Sequence, residues 1–225
     1  MVYINKIIKN FEGDVYMSEF WEKSFVEKQA MWGLEPSSTA IIVADYFAEN
    51  NLKDILIPGI GYGRNSKPFI ANNMEVTGIE ISQTAINIAR QNGINNKIYH
   101  GSVSDMPFEN KLYDGVASFA LIHLLNEDER KKFINDCYNQ LKPGGYMIFT
   151  AVSEKAPMYG NGTKLAENYY ETTYGVKLFF YNSKSIEKEF GNYGLVDFVE
   201  IDDIYKDNPD KPPVNFLMIK CIKEI

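Results

Sequence analysis

The chain has 225 residues, a mass of 25.7 kDa, 45% hydrophobic and 24% charged residues. At about 150 residues per domain this suits one large domain rather than two, and the ordinary apolar content excludes a mainly disordered chain, a collagen-like repeat or a coiled coil. Lys and Arg number 23 against 30 Asp and Glu, a net charge of −7 with a pI near 5.0, which argues against a broad basic surface for nucleic acid or anionic lipid.

Residues 16 to 50 read as two helical pieces. Ser18 precedes Glu19-Phe20-Trp21-Glu22, and Pro36-Ser37-Ser38-Thr39 opens a second helix running to about Glu49. Asp54 to Pro58 is a short apolar run ending at Gly59, a buried strand. A helix is expected from about Gly63 to Asn72, a second strand over Glu75 to Ile81, and a helix over Thr84 to Gln91 stopped by Asn92-Gly93. Lys97 to His100 and Tyr113 to Phe119 read as the third and fourth strands. Asn126 and Glu129 have the spacing of a capping box for a helix to Leu141. Lys142-Pro143-Gly144-Gly145 reads as a turn before a fifth strand, Tyr146 to Val152. Strand and helix alternate to residue 152, which predicts a parallel sheet covered by helices on both faces.

The chain then changes character. Residues 153 to 181 carry Gly160, Gly162 and Gly175 among Tyr159, Tyr169, Tyr170, Tyr174, Phe179, Phe180 and Tyr181. These aromatics suit either a substrate pocket or a surface loop with rings buried singly. A helix over Ser183 to Phe190 and strands at 195–204 and 214–222 follow, the strands joined through a loop at Asn208-Pro209-Asp210-Lys211-Pro212-Pro213. So short a link cannot make a parallel crossover, so the last two strands are expected to be antiparallel.

Two cysteines, Cys137 and Cys221, lie far apart with no CxxC pair, and only His100 and His123 add imidazole. No metal site is expected, and both thiols are expected to be buried. The longest apolar stretch, Val116 to Leu125, is far short of the ~20 residues that span a bilayer, and the start of the chain lacks a signal-peptide pattern. A cytoplasmic protein is the expectation.

The strongest local signal is Ile55-Leu56-Ile57-Pro58-Gly59-Ile60-Gly61-Tyr62-Gly63-Arg64-Asn65, a strand, a glycine loop and a helix in that order. Glycines let the backbone turn sharply and approach a ligand closely. The spacing is GxGxG, and Arg64 stands where a GxGxxG dinucleotide fingerprint has its third glycine, which weakens a nicotinamide or flavin reading. No G-K-[ST] follows, which excludes a P-loop. Glu80 ends the second strand, 80 − 61 = 19 residues past the middle glycine. In a parallel sheet the two strand ends are neighbours, so a carboxylate there can accept hydrogen bonds from two ribose hydroxyls.

These residues resemble the class I S-adenosylmethionine (SAM)-dependent methyltransferases over roughly residues 20 to 222. Gly59-Ile60-Gly61-Tyr62-Gly63 is similar to the family's first motif and Gly78-Ile79-Glu80-Ile81-Ser82 to its acidic second strand. Ser102-Val103-Ser104-Asp105-Met106-Pro107-Phe108 resembles its adenine-side loop, and Leu141-Lys142-Pro143-Gly144-Gly145-Tyr146 its late glycine turn. The resemblance implies a three-layer α/β sandwich with a seven-stranded, mostly parallel sheet and an antiparallel final strand. It implies a single domain over 1–225, with a helical cap at 1–50, a SAM-binding core at 51–152 and a substrate-side insertion with closing strands at 153–225. Ile57 with Pro58, and Ser102, stand where the family often has Asp. Both resemble the thiopurine and thiol methyltransferase branch. Gly63-Arg64-Asn65-Ser66, Phe20-Trp21-Glu22-Lys23 and Trp32-Gly33-Leu34-Glu35-Pro36-Ser37 are similar to the tellurite-resistance branch and its N-terminal cap.

The implied reaction is methyl transfer from SAM to a small-molecule acceptor, a thiol or other soft nucleophile among the options, with S-adenosylhomocysteine as product. The implied cofactor residues are Gly59, Gly61, Gly63, Glu80, Ile81, Ser102, Val103, Phe119 and Trp21, with the Phe119–Ala120 carbonyls facing the methionine ammonium. Trp21, Trp32 and Tyr16 suit a lid as well as ordinary helix packing. The acidic Glu200-Ile201-Asp202-Asp203 reads as a solvated strand end. His123, on an apolar segment, is the one candidate general base, with structural packing as its alternative; a thiol acceptor would need no base. A monomer or homodimer acting on a small molecule, with neither nucleic acid nor membrane as partner, is the expectation. The competing functions are an NAD(P)-dependent oxidoreductase on a similar sheet and a non-catalytic SAM-binding protein.

Overall fold

The structure, a computed structural model, describes residues 17–203 and 213–225. Tyr16 and most of the Asn208–Pro213 loop lie outside the described residues. Helix α1 spans 17–28 and helix α2 spans Ser38–Glu49, the latter capped by Ser37, whose Oγ accepts the Ala40 N–H at 3.2 Å. Strand β1 (Asp54–Pro58) leads through the glycine loop to α3 (Lys67–Ala71), then β2 (Glu75–Glu80), α4 (Gln83–Gln91), β3 (Lys97–His100), β4 (Tyr113–Phe119), α5 (Glu127–Asn139) and β5 (Leu141–Val152). After a three-stranded insertion, β6 (Thr163–Ala166), β7 (Tyr169–Glu171) and β8 (Lys177–Phe179), come α6 (Ser183–Phe190), β9 (Leu195–Asp203) and β10 (Val214–Ile222).

The main sheet has the order β3-β2-β1-β4-β5-β10-β9. Strands β1 to β5 are parallel, and β10 is antiparallel to both β5 and β9. The last strand of the chain is thus inserted beside β5 rather than added at the edge.

Alternation along the central strands explains the two cores. Ile55 and Ile57 pack on one face with Val43, Phe47, Ala117 and Ile148, while Leu56 packs on the other with Val116, Phe133, Ile134 and Phe149. Neighbouring residues of a strand point to opposite faces, so a run apolar at every position is what a sheet covered on both sides requires. Phe47 lies so close over β4 that a Cβ on Gly115 would sit 2.6 Å from its ring. Cys137 and Cys221 are both buried free thiols. The expected capping box is present: Asn126 Oδ1 accepts the Glu129 N–H at 3.1 Å, and Glu129 Oε2 accepts the Asn126 N–H at 2.7 Å.

Three local expectations are corrected. The helix expected over Gly63–Asn72 is a 3-10 turn, Arg64–Ser66, followed by the single α-helical turn of α3. Pro68 occupies the first helical turn, where its missing N–H costs no hydrogen bond. Lys142-Pro143-Gly144-Gly145 is not a separate turn. It lies within β5, with Gly144 at φ +76° and a register shift against β4 between Tyr113 and Gly115. Residues 153–181 form the antiparallel sheet β6-β7-β8, backed by an edge-to-face cluster of Tyr159, Tyr170 and Phe180. The rings are therefore clustered rather than buried singly. Among the described residues no helix is long and apolar enough to cross a membrane.

Candidate functional site

The carboxyl ends of β1, β2 and β4 open into a cavity of about 650 Å³. Ligands bind at this edge of open α/β sheets because the strand order reverses there and leaves a crevice. The glycine loop forms its floor. Gly59, Gly61 and Gly63 all have positive φ, at +68°, +58° and +79°. Their roles differ. A Cβ on Gly61 would meet nothing within 4 Å, so bare backbone faces the open cavity. A Cβ on Gly59 would lie 2.9 Å from Leu121, which approaches from the end of β4. Gly63 does not line the cavity; its missing side chain makes room for Ile94, which a Cβ would approach to 2.9 Å.

Glu80 is buried at the end of β2 and turned inward. Its Oε2 accepts the Gly61 N–H at 2.8 Å, and its Oε1 accepts the Ser82 N–H at 2.9 Å. Burial pushes its pKa up, and the amides of Ser82, Gly61 and Ile81 pull it partly back. Each carboxylate oxygen has two acceptor directions, so both can take a further donor from the cavity. Ile81, Ser102, Val103, Phe119, Trp21 and His123 line the same cavity. Ser102 caps the 3-10 turn after β3, its Oγ accepting the Ser104 N–H at 3.1 Å. Ala120, just past β4, sits in the left-handed region at φ +54° and donates its N–H to Thr150 Oγ1 at 2.9 Å. Of the cofactor residues the resemblance implies, Gly63 alone stands apart from the cavity, and the aromatics Tyr159, Tyr169, Tyr170, Tyr174, Phe179, Phe180 and Tyr181 do not line it either.

The N-terminal segment covers the glycine loop through a set of bonds that the residue types alone do not reveal. Trp32 stacks on Tyr62 at 6.2 Å and 13°, and Trp21 lies 6.1 Å from Trp32. The Tyr62 hydroxyl accepts the Trp32 N–H at 3.0 Å and donates to the Gly33 carbonyl at 2.8 Å. Arg64 donates to the carbonyls of Trp32 and Glu35 at 2.9 and 3.1 Å, and Lys67 to that of Leu34 at 2.8 Å. Asn65 Oδ1 accepts the Ser37 N–H at 3.0 Å. The arginine that replaces the dinucleotide fingerprint's third glycine thus straps residues 32–35 over the loop. On the other side, Glu22 of α1 accepts bonds from the Ser82 hydroxyl at 2.6 Å and from the Thr84 N–H at 3.2 Å, tying α1 to the start of α4.

The far side carries the apolar Leu121, Leu124, Val152, Met158, Leu178 and Phe216, and Glu129 and Asp203 also line the cavity. His123 stands on the short 3-10 turn Ile122–Leu124 and is 7% exposed. Its Nδ1 accepts the Val152 N–H at 3.3 Å, and burial lowers its pKa to about 3. The walls contributed by β8 and β10 were missed in the sequence, because Leu178, Val214 and Phe216 carry no motif and reach the site only through the fold.

Comparison with known proteins shows what the chain is similar to. A family model described as a methyltransferase domain matches residues 56–149, the span from β1 to β5 that carries the cavity floor. That span and the order of the sheet resemble the class I, S-adenosylmethionine-dependent methyltransferases. A tRNA N(3)-methylcytidine methyltransferase of Schizosaccharomyces pombe is 24% identical over 160 residues, covering 64% of this chain and 52% of that protein. A ubiquinone biosynthesis O-methyltransferase of Rickettsia canadensis is 26% identical over 129 residues, covering 56% and 53%. The chain spans about half the length of the curated relatives it matches. In fold it is similar to a 1,6-didemethyltoxoflavin-N1-methyltransferase of Burkholderia thailandensis, solved with 1,6-didemethyltoxoflavin and S-adenosylhomocysteine. That likeness has a TM-score of 0.69 at 14% identity, over 93% of this chain and 88% of the other. The sheet, with β10 inserted antiparallel, does not favour the nicotinamide reading.

Proposed function

We propose that this chain transfers a methyl group from SAM to a small-molecule acceptor held against the apolar wall. The reading is carried by one observation: the inward Glu80 carboxylate beside the bare Gly61 backbone, both facing the cavity. This pair fits a ribose, because two cis hydroxyls can donate to the oxygens already oriented by Gly61 and Ser82. Gly59 and Gly61 would lie along the methionine part, with the carbonyls of Phe119 and Ala120 accepting from its ammonium. Ile81 would cover one face of adenine, and the Ser102–Val103 backbone would meet its edge. Trp21 and the strap of residues 32–35 would close over the cofactor. The division into a cap, a cofactor core and a substrate-side insertion follows from these roles.

The cofactor, when bound, supplies an electrophilic methyl on a sulfonium, so the hard chemistry is its own. The residues of this chain align the acceptor and exclude water. Holding two reactants in line supplies up to about 7–11 kcal/mol in ideal cases. A soft nucleophile such as a thiol would need little more than this alignment. The test is transfer of a radiolabelled methyl from SAM to a panel of thiols, small phenols, selenite, tellurite and bulk tRNA. Label in a small molecule supports the reading. Label confined to tRNA would move the acceptor to nucleic acid, and none in any arm, from protein that binds SAM, would favour a non-catalytic binding protein.

A further inference from the structure

His123, on the lining of the cavity, uses one of its two ring nitrogens in a hydrogen bond with the protein. Its Nδ1 is taken as an acceptor by the Val152 N–H. A neutral imidazole that accepts at one nitrogen carries its proton on the other, so the hydrogen sits on Nε2. Among the described residues no group bonds to Nε2, and none of the side-chain nitrogens or oxygens sealed from solvent lacks a partner. The residue is more than nine-tenths buried and lines the cavity, which is where a ligand can meet Nε2. The ring is framed by Val152 of β5, Leu178 of β8 and Phe216 of β10, with the Phe216 ring 6.1 Å away. Burial alone lowers its pKa, and no charged group on any of these elements adds to the effect.

We infer that His123 is a specificity-determining hydrogen-bond donor for the acceptor rather than a base. Its Nε2–H selects an apolar molecule that presents an oxygen or ring-nitrogen lone pair to the wall between β5, β8 and β10. The inference rests on the proposed methyltransferase reading of the cavity and narrows its substrate class. A ligand with no lone pair leaves the donor unpaired in a dry wall, and a ligand presenting an N–H or ammonium meets another donor. Both are discriminated against, as buried polar groups require partners. The nucleophile's proton, where it has one, is not taken up by this imidazole. A nucleophile that carries a proton releases it to solvent or to a group other than this imidazole.

The experiment uses the whole chain saturated with S-adenosylhomocysteine and a pair of probes of one shape, quinoline and naphthalene, which differ by a single ring nitrogen. Titration calorimetry on the wild type is expected to show quinoline bound about 2- to 13-fold more tightly, the range of one net neutral hydrogen bond. In His123→Phe the preference falls to about one, with naphthalene binding unchanged. Nitrogen-15 NMR of imidazole-labelled protein gives a second readout that needs no variant to fold. With two histidines in the chain, the unexposed resonance is His123. It is expected as the neutral, Nε2-protonated form from about pH 5 to 8, shifting with quinoline and not with naphthalene. An Nδ1-protonated form, a titration near neutrality, a preference that survives His123→Phe, or failure of the wild type to bind either probe would overturn the inference. Failure to bind S-adenosylhomocysteine would instead remove the methyltransferase reading, a separate result seen before any probe is added.

Discussion

Replacing Glu80 with glutamine keeps the shape of the side chain and removes its charge, and the structure separates the consequences for stability from those for binding. Two backbone donors, Gly61 N–H and Ser82 N–H, converge on the two carboxylate oxygens at 2.8 and 2.9 Å. A glutamine offers one acceptor and one donor, so one amide faces an NH2 and loses its partner. That costs about 1–3 kcal/mol. Against it, the substitution removes a carboxylate whose pKa burial raises, and with it the cost of keeping that charge away from water. A carboxylate with a raised folded pKa stabilises the fold when protonated. Its contribution is present below the unfolded value and lost as pH rises through the folded one. The melting temperature of Glu80→Gln is thus expected to gain on the wild type as pH rises from acid to neutral. Binding has no such offset. One charge-assisted bond from a ribose hydroxyl is lost, about 1.5–3 kcal/mol or roughly 13- to 160-fold in affinity. Titration calorimetry with S-adenosylhomocysteine at neutral pH measures this loss, and thermal unfolding over a pH series measures the stability. A variant that binds S-adenosylhomocysteine as tightly as the wild type would refute the assignment of Glu80 to the ribose.

The two glycines flanking Tyr62 should respond in opposite ways. Gly61→Ala places a methyl in open cavity, so the fold loses only the left-handed backbone term of about 1–2 kcal/mol while S-adenosylhomocysteine affinity drops. Gly63→Ala adds a collision with Ile94 worth about 1–3 kcal/mol more and leaves affinity nearly intact in the folded fraction, a pattern that urea titration and calorimetry distinguish. Glu189→Ala leaves the guanidinium of Arg130 unpaired where the two now meet at 2.9 Å, both almost fully buried, and should cost about 3–5 kcal/mol in urea unfolding. The hydrogen bonds from Lys97 and Tyr113 hold the Glu109 carboxyl down at about 2. Its contribution is therefore complete above about pH 4.5 and lost as pH falls toward 2, so Glu109→Gln should flatten that part of the acid-unfolding curve.

The chain order of elements was legible because each signal was local. The alternation of apolar strands with capped helices, the glycine loop and the Glu80 strand end all lie within a few residues of their own context. The antiparallel fit of β10 was legible too, since a short link allows nothing else. The features that sequence missed depend on long-range assembly. Arg64 reads as a defect in a dinucleotide fingerprint, yet it binds carbonyls about thirty residues upstream. Gly63 matches the motif but serves Ile94 packing, which spacing alone cannot distinguish from ligand approach. Tyr159, Tyr170 and Phe180 gave no strand periodicity strong enough to announce β6-β7-β8, because three short strands with mostly exposed faces alternate weakly. His123 was visible as an imidazole on an apolar segment. Its tautomer follows from a backbone N–H on β5, 29 residues away, which only the fold brings to it.

The central claim is that the crevice between the ends of β1, β2 and β4 seats SAM. Calorimetric titration of SAM into the unmodified chain tests it most directly, with NADH as the parallel titrant. The account predicts saturable one-to-one binding of SAM, accompanied by a rise in melting temperature, and no heat from NADH. Absence of heat and of any thermal shift at millimolar SAM, or saturable binding of NADH in its place, would contradict it.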